Sequence, residues 1–194
     1  FYSLSELVMV PSRFYIEELE PLGVKREKMT IFPRGTDHES FSPDWHDDEH
    51  MTKYGGSPNS IKLLYTGRIS REKDLDILAK AFLKVRKKHP EAELFLAGDG
   101  PYVRDLGGML LGHGGFFCGS LSGKEFWKTV ASCDIFVFPS TTDTYGNSVL
   151  EAQAAGLPCI VTDCGGPQEI IIPGESGIVV EGRSVKQMKK AIIH

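Results

Sequence analysis

Two loops carry residues whose types and spacing suit the handling of a phosphorylated ligand. In Gly67-Arg68-Ile69-Ser70-Arg71-Glu72-Lys73, Arg68 stands just past an apolar run and Lys73 at the start of the next helical pattern. Two cations at one mouth can clamp a diphosphate, the guanidinium through its planar fork and the ammonium as a point charge. On spacing alone the same residues read more readily as charges displayed on a solvated turn. The second loop reads Pro139-Ser140-Thr141-Thr142-Asp143-Thr144-Tyr145-Gly146-Asn147-Ser148-Val149-Leu150-Glu151. A helix opening near Asn147 leaves its first amides without intrahelical partners and presents the positive end of its dipole, which suits a phosphate. Glu151, about one turn in, can face the same mouth and accept hydroxyl hydrogen bonds. Taken singly, Glu151 is also a favourable charge near a helix start, and Asp143 a loop cap.

Such loops need a frame. Continuous apolar runs at 61–66, 93–97, 116–118, 135–138, 159–162 and 178–180 read as strands, with helices at 75–88, weakly after Pro101, and at 124–132, 147–156, 167–171 and 184–194. In the 75–88 helix, Leu75, Leu78, Ala79, Phe82 and Val85 share one face. Fully apolar strands alternating with helices predict an α/β fold with a Rossmann-like, doubly wound parallel sheet covered on both faces. Ligands of such sheets bind outside the carboxyl ends of the strands, where both loops lie. Before this region, 7–10 and 29–32 read as short strands, and Ser12 caps a helix running to Leu22, with Gly23 as its stop. The stretch 35–59 is polar, without period, and reads as a linker.

Composition narrows the classes. The 194 residues carry a net charge of −4, which argues against a nucleic-acid surface. No apolar run approaches the roughly 20 residues of a membrane span. The four cysteines show no C-x-x-C spacing and three sit in or beside apolar runs, pointing to reduced thiols and a cytoplasmic setting. Phe1 in first place and a last helix that stops in mid-pattern give the expectation of a fragment.

Read together, the motifs resemble a family. Thr66-Gly67-Arg68 with Glu72-Lys73, Ala97-Gly98-Asp99-Gly100-Pro101, Pro139-Ser140 leading to Asp143 and, after seven residues, Glu151-Ala152, then Ala155-Gly156-Leu157-Pro158 with Gly165-Gly166 and Glu169, follow the order of the family-four retaining glycosyltransferases. The resemblance implies the C-terminal, nucleotide-sugar-binding half of a GT-B enzyme. It implies that Arg68 and Lys73 neutralise a diphosphate, Glu151 holds the ribose hydroxyls and Asp143 faces the donor sugar. It further implies that Tyr145, Gly146, Asn147 and Ser148 meet sugar and phosphate through their amides, and that Leu121 contacts the base through its backbone. Asp143 departs from the pattern, which more often has Glu there.

The implied donor is a UDP- or GDP-sugar, used without a metal or other cofactor. The acceptor would be a glycan, a lipid or a small molecule. Residues 1–44 are expected to be a remnant of an N-terminal acceptor-side domain and hinge, 45–60 a linker, and 61–194 the donor domain. The missing domain would complete the cleft, the isolated chain would turn over poorly, and the full-length enzyme would associate peripherally with the cytoplasmic face of a membrane. A non-catalytic nucleotide-sugar-binding or assembly module is the alternative.

Two weaker signals are read as structural. Asp74-Leu75-Asp76 spells the D-x-D metal signature of another glycosyltransferase fold, but here opens a helix, where Asp serves as a cap. His46-Asp47-Asp48-Glu49-His50 reads as a solvated loop, and Trp45 and Trp127 as packing residues.

Overall fold

A computed structural model describes residues 2–194. Its frame is a six-stranded, all-parallel sheet. The strands are β3 (Ile61–Thr66), β4 (Ala92–Ala97), β5 (Gly115–Gly119), β6 (Ile135–Phe138), β7 (Cys159–Thr162) and β8 (Gly177–Val180), in the order β5-β4-β3-β6-β7-β8. The order runs one way from β3 through β5 and the other way from β6 through β8. This is the Rossmann arrangement, with its switch point between β3 and β6. The helices are α2 (Leu75–Arg86), α3 (Val103–Leu110), α4 (Gly123–Ala131), α5 (Asn147–Ala154) and α6 (Val185–Ile193). α2 packs against α3 and α6, and α4 against α5.

The four inner strands are buried as the sequence predicts, and the edge strands β5 and β8 only in part. Leu63, Leu64, Tyr65, Leu94, Phe95, Phe136 and Val161 are inaccessible to solvent, and the α2 face of Leu75, Leu78, Ala79, Phe82 and Val85 closes over them. The 67–69 and 97–102 loops run side by side: the Gly67 amide donates to Ala97 O and the Ile69 amide to Asp99 O. Gly98 permits this approach. Its φ is 149°, and a Cβ there would lie 1.9 Å from Gly67 O.

The amino-terminal residues form a smaller unit. β1 (Val8–Val10) pairs in parallel with β2 (Met29–Ile31), and α1 (Arg13–Leu19) crosses between them. Val8, Val10, Ile16, Leu19, Val24 and Met29 form a separate small core. α1 ends three residues before the expected Leu22, because the chain unwinds through a turn closed at Gly23, whose φ is 89°.

The stretch read as a linker is structured. Short 3-10 helices span Pro43–Trp45 and His50–Tyr54, Met51 is fully buried in the main core, and Phe41 joins it. His46 Nδ1 lies 2.9 Å from Ala131 O, and the Asp47 amide donates to Ser132 Oγ. Irregular backbone with anchors spaced one per turn leaves no period to detect, which is why the sequence reading missed it. Trp45 and Trp127 pack with ring centroids 5.5 Å apart.

Candidate donor-binding site

The site lies at the switch point. β3 delivers the Gly67–Lys73 loop, β6 the loop 139–146, and α5 follows. α5 opens at Gly146, which takes φ 91°, and no side chain caps the helix. Its first amides therefore stay open toward the loop mouth.

Two adjoining cavities occupy this mouth. The first, about 480 Å³, is walled by Arg68, Asp99, Ser120, Leu121, Phe126, Asn147, Ser148 and Glu151. The second, about 350 Å³, is walled by Tyr65, Arg68, Glu72, Lys73, Asp143 and Ser148. Arg68 and Ser148 belong to both. Seven of the nine residues singled out from the sequence (Arg68, Lys73, Leu121, Asp143, Asn147, Ser148 and Glu151) thus line one continuous depression. Tyr145 and Gly146 line neither cavity. The Tyr145 hydroxyl instead donates to Arg34 O at 3.1 Å, and Gly146 is buried under the turn.

The charges are arranged unequally. Arg71 turns away from the mouth, stacking over Tyr102 and pairing with Asp105 on α3. The Lys73 ammonium is held by Asp143, at 2.9 Å from Oδ1 and 2.8 Å from Oδ2. The two groups assigned to phosphate and to sugar are therefore partners of each other. The Glu151 carboxylate has no protein partner among the described residues, and burial pushes its pKa up. A half-buried acid without a donor is poised to accept from a ligand hydroxyl.

Several positioning groups escaped the sequence reading. Tyr65, buried in β3, donates from its hydroxyl to Arg68 O at 3.0 Å and so fixes the loop carrying the guanidinium. Thr142 Oγ1 donates to Glu72 O at 3.2 Å, joining the two loops. Phe126, on the first turn of α4, walls the first cavity and is braced edge-on by Phe41. A phenylalanine placed in the first turn after a glycine-ended strand was the available signal. Asp74 is not a cap: it makes no capping hydrogen bond to α2, whereas Asp76 pairs with Lys80.

A model of the glycosyl transferases group 1 family matches residues 47–194. The chain belongs to this family. The glycosyltransferase chain is 35% identical over 175 residues to the sulfoquinovosyl transferase SQD2 of Arabidopsis thaliana, covering 89% of the chain and 34% of that relative. It is 28% identical over 180 residues to a GDP-mannose-dependent alpha-mannosyltransferase of Corynebacterium glutamicum, covering 93% of the chain and 41% of the relative. The chain spans less than half the length of these curated relatives. Its fold matches Anabaena HepE, solved with UDP and glucose, with a TM-score of 0.86 at 20% identity, over 99% of this chain and 54% of that one. It matches sucrose-phosphate synthase of Thermosynechococcus elongatus with a TM-score of 0.83 at 23% identity, over 99% and 49%. These neighbours share the GT-B fold that the glycosyltransferase motifs led one to expect. No helix among the described residues is long and apolar enough to cross a membrane.

Proposed function

We propose that the depression at the switch point binds a nucleoside-diphosphate sugar, and that the complete enzyme transfers the sugar to an acceptor hydroxyl with retention of configuration. One observation carries the reading: two cavities that share Arg68 and Ser148, one ending at Glu151 and Leu121 and the other at Lys73 and Asp143. A pentose and base suit the first end, and a diphosphate and hexose the second.

Charge builds on the departing diphosphate during transfer. Arg68, Lys73 and the open amides of α5 would stabilise that charge more in the transition state than in the ground state. The HepE structures with UDP and with UDP-glucose and the GDP-mannose dependence of the Corynebacterium relative favour a UDP- or GDP-sugar without choosing between them. The acceptor, a glycan, lipid or small molecule, would be met by an N-terminal domain to which the amino-terminal unit around β1, α1 and β2 belongs. We further propose that no metal is needed, since two side-chain cations and a helix N-terminus supply the positive field. All four cysteines are free thiols, which suits a cytoplasmic setting, with peripheral association at the membrane face.

Titration with UDP and with GDP by calorimetry tests this reading. Binding should be lost, by about 10²-fold or more, in Arg68→Ala, and weakened in Glu151→Ala; binding that survives both changes overturns it. A non-catalytic binding module is the second reading, favoured by one observation: Asp143, short of the usual Glu, is closed on Lys73. Mass-spectrometric screening of the complete protein against a panel of nucleotide sugars separates the two, since a module binds without transferring.

A further inference from the structure

Among the described residues, two that are not glycine have a positive φ: Asp74 at 52° and Arg183 at 60°. L side chains rarely adopt this backbone, and where it persists the surroundings must hold it. The two residues hold each other. Arg183 Nε donates to Asp74 Oδ1 at 3.1 Å, and Thr141 Oγ1 donates to Asp74 Oδ2 at 2.6 Å. Arg183 Nη2 also reaches Thr141 Oγ1, at 3.4 Å. The Asp74 side chain is 12% exposed, so a largely desolvated carboxylate joins three loops: those after β3, β6 and β8.

Neither Asp74 nor Arg183 lines the two donor cavities, yet the chain places the cluster beside the residues that do. Asp74 directly follows Lys73, and its left-handed backbone turns the chain from the Arg71–Lys73 3-10 turn into α2. Thr141 stands two residues before Asp143. The lysine and the aspartate that meet across the second cavity are therefore each anchored, one or two residues away, to the same carboxylate. Capping does not explain Asp74, whose side chain makes no capping bond. A D-x-D metal pair does not explain it either, because Asp76 is engaged with Lys80 and both Asp74 oxygens are already used.

We infer that Asp74, tied to Thr141 and Arg183, is a positioning residue that sets the spacing of Lys73 and Asp143 and thereby the fit of the donor's distal phosphate and sugar. The inference rests on the donor-site reading above. It assigns the cluster to one end of the site: at the nucleoside end, Leu121 follows β5 and Glu151 lies inside α5, beyond the anchored loop.

Calorimetry with UDP, UMP, GDP and GMP on the whole chain measures the step in affinity from mono- to diphosphate for whichever base binds. Asp74→Asn and Thr141→Val should shrink that step by about tenfold, as the loss of a hydrogen bond to a charged group does. Monophosphate affinity should hold within about twofold. Thr141→Ser, which keeps the hydroxyl, should keep the step. Asp74→Gly separates positioning from folding: glycine accepts the left-handed backbone, so the protein should melt close to wild type and still lose the step. A wild-type protein that binds none of the four nucleotides overturns the donor reading and this inference with it. A wild-type protein with the step, and Asp74→Gly and Thr141→Val variants that keep it in full, overturn the positioning role alone. A mono- and diphosphate loss of equal size would also overturn it.

Discussion

Burial raises the Glu151 pKa above its usual 4.5, because the ionised form gives up water without gaining a protein partner. A raised acid contributes stability that is full below the unfolded value and is lost as pH climbs through the folded one. Glu151→Gln should therefore melt higher than wild type at neutral pH, with the advantage vanishing near pH 4, as scanning calorimetry at the two pH values would read. Nucleotide affinity should move oppositely: it should rise with pH in wild type as the carboxylate forms, and stay flat in the Gln variant. The Lys73–Asp143 pair yields a second expectation at this scale. A phosphate must draw the ammonium away from its carboxylate, so Asp143→Asn should tighten binding of the sugar-free diphosphate by about threefold to tenfold while slowing transfer, the gain being that of a partly screened ion pair no longer broken. Equal or weaker diphosphate binding in that variant would contradict the competition.

At the scale of elements, α1 has seven residues and starts on borrowed support. Ser12 accepts from the Tyr15 amide, and Glu169, from the far side of the chain, accepts from the Arg13 and Phe14 amides at 2.9 and 2.6 Å. Glu169→Ala should lose about 1 kcal/mol of stability, the worth of a helix cap, with faster hydrogen exchange confined to α1 as the readout. Gly98→Ala places a methyl group against the backbone of Gly67 and should abolish soluble expression or cost more than about 3 kcal/mol. The apolar strands, the α2 face and the carboxyl-end loops were legible because their periods and punctuation are local. The Asp74 carboxylate, Tyr65 and the Glu169 cap were not, since each acts across long sequence separations, and a single residue type carries no sign of its distant partner. Tyr145 shows the same limit from the other side: its place in the motif gave no hint that its hydroxyl would go to Arg34.

For the whole molecule, the former linker matters more than its composition suggests. Met51 is sealed in the main core and Phe41 backs Phe126, so the segment between the two units is part of the donor half. Met51→Ala should destabilise the whole chain by about 3 kcal/mol, seen as one cooperative shift of the melt. Met51→Leu should be nearly neutral. The amino-terminal unit is different in kind: its core is six residues, and Leu4, Leu7, Met9, Leu22 and Phe32 are exposed around it. A unit that small does not hold itself together, which is why its ties to the larger body, from the Ser12 hydroxyl donating to Thr144 O at 3.4 Å and through Glu169 and Tyr145, weigh on its order.

Both cavities take walls from the segments after β3 and β6, but only the first reaches the segment after β5. Ser120, Leu121 and Phe126 follow β5 at one rim of the sheet, whereas Lys73 and Asp143 follow β3 and β6 at its centre. On the proposed donor-site reading, preference for the nucleobase would be written mainly in the stretch after β5 and preference for the sugar in those after β3 and β6. A lineage, or an engineer, could then redraft one while leaving the other untouched, with Arg68 common to both cavities.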